Sequence, residues 1–215
     1  MMFKKILIIL LLAGFGFAGD VDNGLDAVDK KDYITAIKLF QKACDDKVAD
    51  GCHNLAVMYS NVFFDSREGS YNFDARQDSS KVAELYKKAC TYGAAKGCYV
   101  LATMYDEGDG VKQDHVKAAE LWKKSCNGGF YYGCDKLGKM YRIGFGVKEN
   151  SHKAVEMYRK ACDVGNVNGC NHLGFFYEEG DGVGKSNELA LKYYGMACDL
   201  KDNSACEKYE QLKDR

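Results

Sequence analysis

Proline is absent from this chain of 215 residues, tryptophan occurs once, and neither sign of charge is in excess. Because no proline interrupts a helix, glycine has to supply the turns. The formal net charge of −1 argues against a nucleic-acid partner, since phosphate binding needs a clear basic excess. Apolar residues make up 47% of the chain, which is enough for a sizeable buried core. The composition therefore indicates a soluble, largely helical protein.

The first 18 residues differ from the rest of the chain. Lys4 and Lys5 precede an apolar run from Ile6 to Ala13, and small residues lead to Ala18. The run is too short to span a bilayer, so a transmembrane anchor is disfavoured. We predict a signal peptide over residues 1–18 that is cut after Ala18, which leaves no membrane span. The mature protein is then secreted or periplasmic.

Ten cysteines form five pairs, and seven residues separate the partners of every pair. From the third pair onward, each pair follows the one before it by 36 residues, and such a fixed period indicates a stacked structural repeat. The pairs are Cys44 and Cys52, Cys90 and Cys98, Cys126 and Cys134, Cys162 and Cys170, and Cys198 and Cys206. In an exported protein this pattern predicts a disulfide framework. Zinc sites and redox pairs favour shorter spacings, so we predict structural disulfides, no metal and no cofactor.

Each repeat predicts an antiparallel pair of helices with the two cysteines on either side of its turn. A residue that caps helices well stands twelve positions before the first cysteine of every pair. These residues are Asp32, Asp78, Asp114, Asn150 and Ser186. In the three middle repeats a glycine that can end a helix follows the first cysteine by three positions. The glycines are Gly93, Gly129 and Gly165, and Lys47 and Lys201 replace them in the first and last repeats.

An aromatic residue stands four positions before the first cysteine of every pair. The five residues are Phe40, Tyr86, Trp122, Tyr158 and Tyr194. Such a row could stack on a ligand, but aromatic side chains that fill the space between stacked hairpins are the favoured interpretation.

The spacing between the first two cysteine pairs is 46 residues, so ten residues are inserted there, around positions 61–77. The insertion contains Phe63, Phe64, Tyr71 and Phe73 among polar residues. Two interpretations stay open, a binding element and a loop without a binding role.

A search for catalytic motifs finds little. No serine has a lysine three positions on, as a serine β-lactamase would need, and the elements S-D-N, K-T-G and G-x-S-x-G do not occur. The four histidines are scattered along the chain at positions 53, 115, 152 and 172. His53 and His172 lie near the second cysteines of different repeats and are candidate general bases, although packing or surface roles are favoured. The catalytic residues, if any, stay unknown.

The repeat resembles a known family. The residues that carry the resemblance in the fourth repeat are Ala154, Tyr158, Cys162, Gly165, Gly169-Cys170, Leu173-Gly174, Tyr177 and Gly180-x-Gly182-Val183. They are similar to Sel1-like repeats, which are relatives of the tetratricopeptide repeat. The cysteine pair in each repeat resembles, more specifically, the secreted Helicobacter cysteine-rich proteins.

The resemblance implies an all-α fold, a right-handed α-solenoid of five disulfide-bridged hairpins over residues 19–215, with a concave groove. It also implies penicillin binding and weak β-lactamase activity, with a β-lactam or peptidoglycan-like molecule as ligand. Sel1-like repeats elsewhere act mainly as protein-binding scaffolds, so an extended peptide or partner protein is the alternative. The oligomeric state stays open.

Overall fold

The chain is all-helical throughout the residues that a computed structural model describes, 19–61 and 79–214. Residues 19–29 form helix α1. The helices that follow are α2 (Tyr33–Asp45), α3 (Ala49–Asn61), α4 (Ser79–Thr91), α5 (Ala95–Glu107), α6 (His115–Asn127), α7 (Tyr132–Ile143), α8 (Ser151–Cys162), α9 (Val167–Glu179), α10 (Asn187–Asp199) and α11 (Asn203–Lys213). The predicted all-α fold is confirmed. The predicted signal peptide and nearly all of the predicted insertion lie outside the described residues.

Five consecutive helix pairs, α2–α3 to α10–α11, are the hairpins that the cysteine spacing predicts. Each hairpin is closed by a disulfide between cysteines eight positions apart, and their Cα atoms are 4.4 to 4.8 Å apart. Closing a loop of this length stabilises each hairpin by about 2.5 kcal/mol on the chain-entropy model. The disulfides therefore compensate in part for the limited stability that the small core of one helix pair provides.

The chain divides into two compact units, one ending at Gln113 and the other beginning at Asp114. In the first unit α2, α3, α4 and α5 pack each on the next, and in the second unit α6 to α11 do the same. Each unit thus consists of successive hairpins in which a helix contacts its neighbours along the chain, as expected of a repeat protein.

Side-chain caps begin the first helix of four hairpins, as predicted. The cap oxygen accepts a hydrogen bond from the backbone N–H three residues later, which satisfies one amide of the open first turn. The distances are 3.1 Å for Asp32 and Thr35, 3.0 Å for Asp114 and Lys117, 2.9 Å for Asn150 and Lys153, and 3.2 Å for Ser186 and Leu189. The fifth predicted cap, Asp78, lies outside the described residues.

The turn of every hairpin needs a residue in the left-handed backbone region. Gly165 has a φ of 82°, and the lysines that replace glycine in the terminal repeats adopt the same conformation, with φ values of 64° at Lys47 and 74° at Lys201. A side chain raises the energy of this conformation, whereas glycine does not. The two outer hairpins therefore keep the turn geometry at some expense in stability.

The five aromatic residues of the predicted row are core residues, which confirms the favoured interpretation. Their exposed fractions are 1% for Phe40, 4% for Tyr86, 3% for Trp122, and 0% for Tyr158 and Tyr194. We call them the core aromatics.

A glycine of the preceding hairpin makes room for the ring of two of the core aromatics. A Cβ added to Gly138 would lie 2.9 Å from the ring of Tyr158, and one added to Gly174 would lie 2.5 Å from the ring of Tyr194. The close contact of ring and glycine positions one hairpin on the next.

Helix α1 was not predicted from the sequence. It packs on α2 through the same contact, because a Cβ added to Gly24 would lie 2.5 Å from the ring of Phe40. An ion pair of 2.9 Å between Asp20 and Lys42 joins the same two helices. Since α1 carries no cysteine, the cysteine period could not reveal it. The sequence signal that could have revealed helix α1 is Gly24, which precedes the core aromatic Phe40.

Candidate functional site

Polar side chains from two neighbouring helices lie beside each of the two tyrosines among the second unit's core aromatics, Tyr158 and Tyr194. The preceding hairpin contributes the residue four positions after the contacting glycine, and the tyrosine's own hairpin contributes the residue two positions after the second cysteine. For Tyr194 these residues are Glu178 and Lys208, and for Tyr158 they are Arg142 and His172. The repeat therefore builds the same position twice with different chemistry.

Around Tyr194 the polar groups are paired. Its hydroxyl donates to the carboxylate of Glu178 at 3.0 Å, and the Lys208 ammonium lies 5.8 Å from the centre of its ring. Burial is the main reason that the pKa of Tyr194 is raised, and the bond to Glu178 raises it further. The Tyr194 hydroxyl is therefore a satisfied part of the core.

Around Tyr158 the polar groups are not paired. The ring of His172 lies 4.5 Å from the ring of Tyr158, centre to centre, but the Tyr158 hydroxyl makes no hydrogen bond within the protein. Nε of Arg142 and Oδ1 of Asp135 are also buried without a partner. Arg142 approaches the Tyr158 hydroxyl without completing a hydrogen bond of standard geometry. We call the place formed by Asp135, Arg142, Tyr158 and His172 the Tyr158 recess.

Unpaired buried polar atoms are uncommon in folded proteins, and each costs about 1–3 kcal/mol of stability. The Tyr158 recess holds three of them, from α7 and α8, while the equivalent hydroxyl of Tyr194 is paired. Both tyrosines are fully buried and both pack on a glycine, so packing does not explain the difference. The three unpaired atoms are themselves closed to a ligand, and the recess is the candidate site because the partly buried side chains of Asp135, Arg142 and His172 form a polar rim beside it.

The titrating groups of the recess are shifted by burial in the directions that keep them uncharged. Burial raises the pKa of Tyr158, and the nearby Asp135 carboxylate raises it further. Burial also raises the pKa of Asp135 itself, against the pull of Lys136 and Lys139. The pKa of His172 falls to about 4, first because of burial and then because Arg142 and Lys139 are positively charged. At neutral pH the hydroxyl and the imidazole are therefore both neutral.

The two candidate general bases lie in different units. His53, on α3, packs on the ring of Tyr86 with 5.7 Å between ring centres, and its buried Nδ1 makes no hydrogen bond. Burial is the main cause that lowers the pKa of His53. Each of the two histidines thus packs on a core tyrosine, which supports the favoured packing role.

All ten cysteines are joined in the five disulfides, so no thiolate is left for a metal or for redox chemistry. Among residues 19–61 and 79–214, no group of three or more His, Cys, Asp or Glu side chains is placed to hold a metal ion. No helix in the same ranges is long and apolar enough to cross a membrane. Several disulfides fit a protein of an oxidising compartment, such as the periplasm or the extracellular space.

A surface cavity of about 220 Å³ lies at the turns of the third and fourth hairpins. It is lined by Gly129, Phe130, Tyr131, Tyr132, Val164, Gly165 and Asn166. The polar side chain of Asn166 is already used, because it caps α9 by accepting from the N–H of Gly169 at 2.8 Å. This cavity is mainly an apolar depression and lacks the unpaired groups of the Tyr158 recess.

Sequence reasoning missed Asp135 and Arg142. When the repeats are aligned, the position of Arg142 is Ser60, Asp106, Arg142 and Glu178 in successive hairpins. The cysteines do not vary and the core position is always aromatic, so a partly buried position that changes its charge from repeat to repeat stands out. That variation is the signal that could have located the recess.

The model of the Sel1 repeat matches residues 18–47, 95–130, 132–166 and 167–202, which together make up more than half of the chain. The chain belongs to the Sel1 repeat family. Each matched repeat after the first joins the second helix of one hairpin to the first helix of the next. Two disulfides of this Sel1 protein, Cys126–Cys134 and Cys162–Cys170, therefore join successive matched repeats.

Solved structures share the fold. The protective antigen c5321 of uropathogenic Escherichia coli has a TM-score of 0.81 and 25% identity over 91% of this chain, which spans only 41% of that antigen's chain. A Sel1 repeat protein of Oxalobacter formigenes has a TM-score of 0.76 and 23% identity, and the match covers 86% of this chain and 72% of the other.

Cysteine rich protein B of Helicobacter pylori is 30% identical with a TM-score of 0.50, and the match covers 67% of this chain and 96% of that protein. No curated protein matches the sequence.

Proposed function

We propose that the protein is an exported scaffold that binds an extended peptide segment of a partner along α7 and α9 of its second unit. The observation that carries the proposal is the polar rim that the partly buried side chains of Asp135, Arg142 and His172 form beside Tyr158. A peptide backbone offers alternating donors and acceptors, so it can pair with such side chains one after another. Sel1 repeats in general mediate contacts between proteins, which agrees with this function.

The chemistry of the recess favours binding over catalysis. A hydroxyl whose pKa is raised, as that of Tyr158 is, makes a poor nucleophile at neutral pH. An imidazole with a pKa of about 4 is a weak base, so His172 is poorly suited to activate that hydroxyl. The same neutral groups are well suited to hold a ligand by hydrogen bonds.

Peptide selection tests the proposed function. Dodecapeptides would be selected from a random display library on the oxidised protein and resynthesised, and their contacts mapped by amide chemical shifts in NMR spectra. We expect micromolar binding and shifts concentrated on α7 and α9. Lys160, an exposed residue of α8 that pairs with Glu156 at 2.9 Å, is an internal control whose amide should not shift. Failure to enrich any peptide above the reduced, unfolded protein contradicts the proposal, as do shifts centred on the outer face of α8.

Export is a separate part of the proposal and rests on the five disulfides and on the sequence of residues 1–18. N-terminal sequencing of the protein recovered from the envelope and the medium of its natural host tests it. The expected first residue is Gly19, with no free thiol in the intact protein. A chain that retains residues 1–18, or that is found reduced in the cytoplasm, contradicts export.

A second candidate is the binding and slow hydrolysis of β-lactams. It rests on the resemblance of the cysteine-rich repeats to the secreted Helicobacter proteins and on the 30% identity with cysteine rich protein B. Arg142 and Lys139 would attract the carboxylate of a penicillin beside the Tyr158 hydroxyl. Turnover of a chromogenic cephalosporin by the folded protein, above a denatured control, would support this candidate. Equal rates in both samples, without retained label, would remove it.

A further inference from the structure

The turn of the third hairpin carries three consecutive aromatic residues, and no other hairpin turn does. Phe130, Tyr131 and Tyr132 stand four to six positions after the first cysteine, where the fourth hairpin has Asn-Val-Asn at residues 166–168. The rings of Phe130 and Tyr132 lie 5.3 Å apart, centre to centre, and 57% of Tyr132 is exposed. Aromatic rings that stay exposed side by side are typical of a surface that binds apolar groups.

These rings line the cavity of about 220 Å³ together with the turn of the fourth hairpin. Val164 adds an apolar side chain that is 52% exposed. The turn glycines Gly129 and Gly165 leave room, because a Cβ added to either would have no other atom within 4 Å. None of the residues that line the cavity carries a charge. The cavity is therefore open, mainly aromatic and suited to a neutral ligand.

One buried side chain of the cavity keeps a polar atom without a partner. Only 7% of Asn166 is exposed, and the cap of α9 occupies only its oxygen, which accepts from the N–H of Gly169 at 2.8 Å. The amide nitrogen Nδ2 donates to no group within the described part of the chain, and it is not closed off from solvent. Buried amides generally use both ends. The free donor therefore calls for an acceptor, such as a carbonyl oxygen, from a ligand in the cavity.

A proline residue combines the properties that this cavity asks for. Its ring is apolar and packs on aromatic faces, and its carbonyl can accept from Asn166. Any other peptide residue brings a backbone N–H that apolar walls would leave unpaired, whereas proline has none. A proline-rich segment is already extended before it binds, so it loses little conformational entropy. Because this chain contains no proline, the segment belongs to a different protein.

We infer that the cavity at the turns of the third and fourth hairpins binds a proline residue of a proline-rich segment in a partner protein. The proline ring packs on Phe130 and Tyr132, and the carbonyl accepts from Asn166 Nδ2. The inference goes beyond the proposed function, since the cavity shares no residue with the Tyr158 recess. The turn of the fifth hairpin offers a contrast, because Asp202 stands at the position of Asn166 and caps α11 at 3.1 Å without an amide nitrogen.

Two capped hexapeptides test the inference on the oxidised protein. We expect hexaproline to shift the Nδ2 signals of Asn166 and the backbone amides of residues 129–132 and 164–166 in NMR spectra of the ¹⁵N-labelled protein. The shifts should saturate with a dissociation constant of about 1 mM, as a contact of one or two residues allows. Hexaalanine has an N–H in every residue and should bind at least about fivefold more weakly. Equal binding of both peptides, no shift from either, or shifts centred outside the cavity overturn the inference.

Three variants give the second readout. Asn166→Asp keeps a capping oxygen, as Asp202 does, but removes the donor, so it should weaken hexaproline binding about fivefold. Tyr132→Ala removes an exposed ring and should weaken binding by a similar factor. Asn168→Ala changes the equivalent exposed position of the fourth hairpin, which does not line the cavity, and should change binding less than twofold.

Urea denaturation checks that each variant is folded, and Tyr132→Ala decides alone if Asn166→Asp is not. Equal affinity of hexaproline for Tyr132→Ala and Asn168→Ala overturns the proline site and leaves the scaffold function along α7 and α9 intact. Failure of peptide selection, together with saturating hexaproline shifts at the cavity, overturns that scaffold function and leaves the proline site.

Discussion

Hairpins α8–α9 and α10–α11 carry the same tyrosine at the same position, and the two residues behave differently. Tyr158 and Tyr194 are both fully buried, and each packs on a glycine of the preceding hairpin. The Tyr194 hydroxyl is bound to Glu178, whereas the Tyr158 hydroxyl has no partner. The ring and the glycine hold the hairpins together in both places, so packing is common to the two. The polar positions around the ring vary, and in a repeat protein those positions are free to serve binding.

The disulfides of hairpins α8–α9 and α10–α11 should contribute differently to the free energy of unfolding. Replacing Cys162 and Cys170 by alanine is expected to lower the free energy of unfolding by about 3 kcal/mol, from loop entropy and the lost packing of buried sulfurs. The same change at Cys198 and Cys206 should cost about 2.5 kcal/mol, because these two cysteines are only partly buried. Urea denaturation of the two double variants measures the difference. A larger loss at the C-terminal bridge would show that burial of the cysteines does not set their relative contributions.

Acid should weaken the hairpin that contains His172. Because burial and nearby cations lower the folded pKa of His172 to about 4, the unfolded chain takes up this proton first as the pH falls. Stability from this group is present above the ordinary histidine pKa and is lost between about pH 6.5 and pH 4, by about 3 kcal/mol. Denaturation curves of the wild type and His172→Gln should therefore diverge between pH 7 and pH 4.

The position of Lys208 around Tyr194 supplies the control for that measurement. Lys208→Gln changes the equivalent position around Tyr194 and leaves His172 in place, so its stability difference from the wild type should stay constant. Asp135, whose raised pKa acts in the opposite direction, is present in all three proteins and cancels. A His172→Gln curve parallel to the wild type would contradict the assigned pKa.

The glycines under the two rings offer the next comparison. Gly174→Ala is expected to lower the free energy of unfolding by about 2 kcal/mol, because overpacking outweighs the higher helix propensity of alanine. Gly138→Ala should cost about 1 kcal/mol, because the added Cβ would lie 2.9 Å rather than 2.5 Å from its tyrosine ring. Thermal unfolding followed by circular dichroism ranks the variants. Two stabilised variants would mean that ring contact does not set the spacing of the hairpins.

The turns give the smallest effect. Gly165→Ala places a side chain in the left-handed region with nothing nearby to clash, so the expected loss of about 1 kcal/mol comes from the backbone alone. Lys201→Gly relieves the same strain in the last hairpin and should gain about 0.5 kcal/mol, since glycine also loses more entropy on folding. Chemical denaturation of both variants measures whether each one loses or gains stability relative to the wild type. A loss of stability in Lys201→Gly would show that the lysine side chain has a stabilising contact.

Local chemistry made much of the fold predictable. Caps such as Asp114 and Ser186 act within one helical turn, and cysteines eight positions apart lie across one short turn, so aligning the repeats was enough to place the hairpins. Helix α1 escaped because its evidence is a contact between Gly24 and Phe40, which a cysteine period does not contain.

The Tyr158 recess was not predictable in the same way. Its members come from three helices, and only the packing of one hairpin on the next brings Arg142 of α7 near Tyr158 of α8. The sequence shows which positions vary among the repeats but not which atoms lack partners. Whether an atom lacks a partner depends on tertiary structure, so the candidate site can be recognised only in the folded protein.

The most direct test of this account compares the stability of Tyr158→Phe and Tyr194→Phe in the protein without ligand. Tyr194→Phe breaks a hydrogen bond of 3.0 Å and should lower the free energy of unfolding by about 1 kcal/mol. Tyr158→Phe removes a buried hydroxyl without a partner and should leave the stability unchanged or raise it by up to about 1 kcal/mol. If both variants lose stability equally, the Tyr158 hydroxyl has a partner inside the protein, and the contrast between the two tyrosines is wrong.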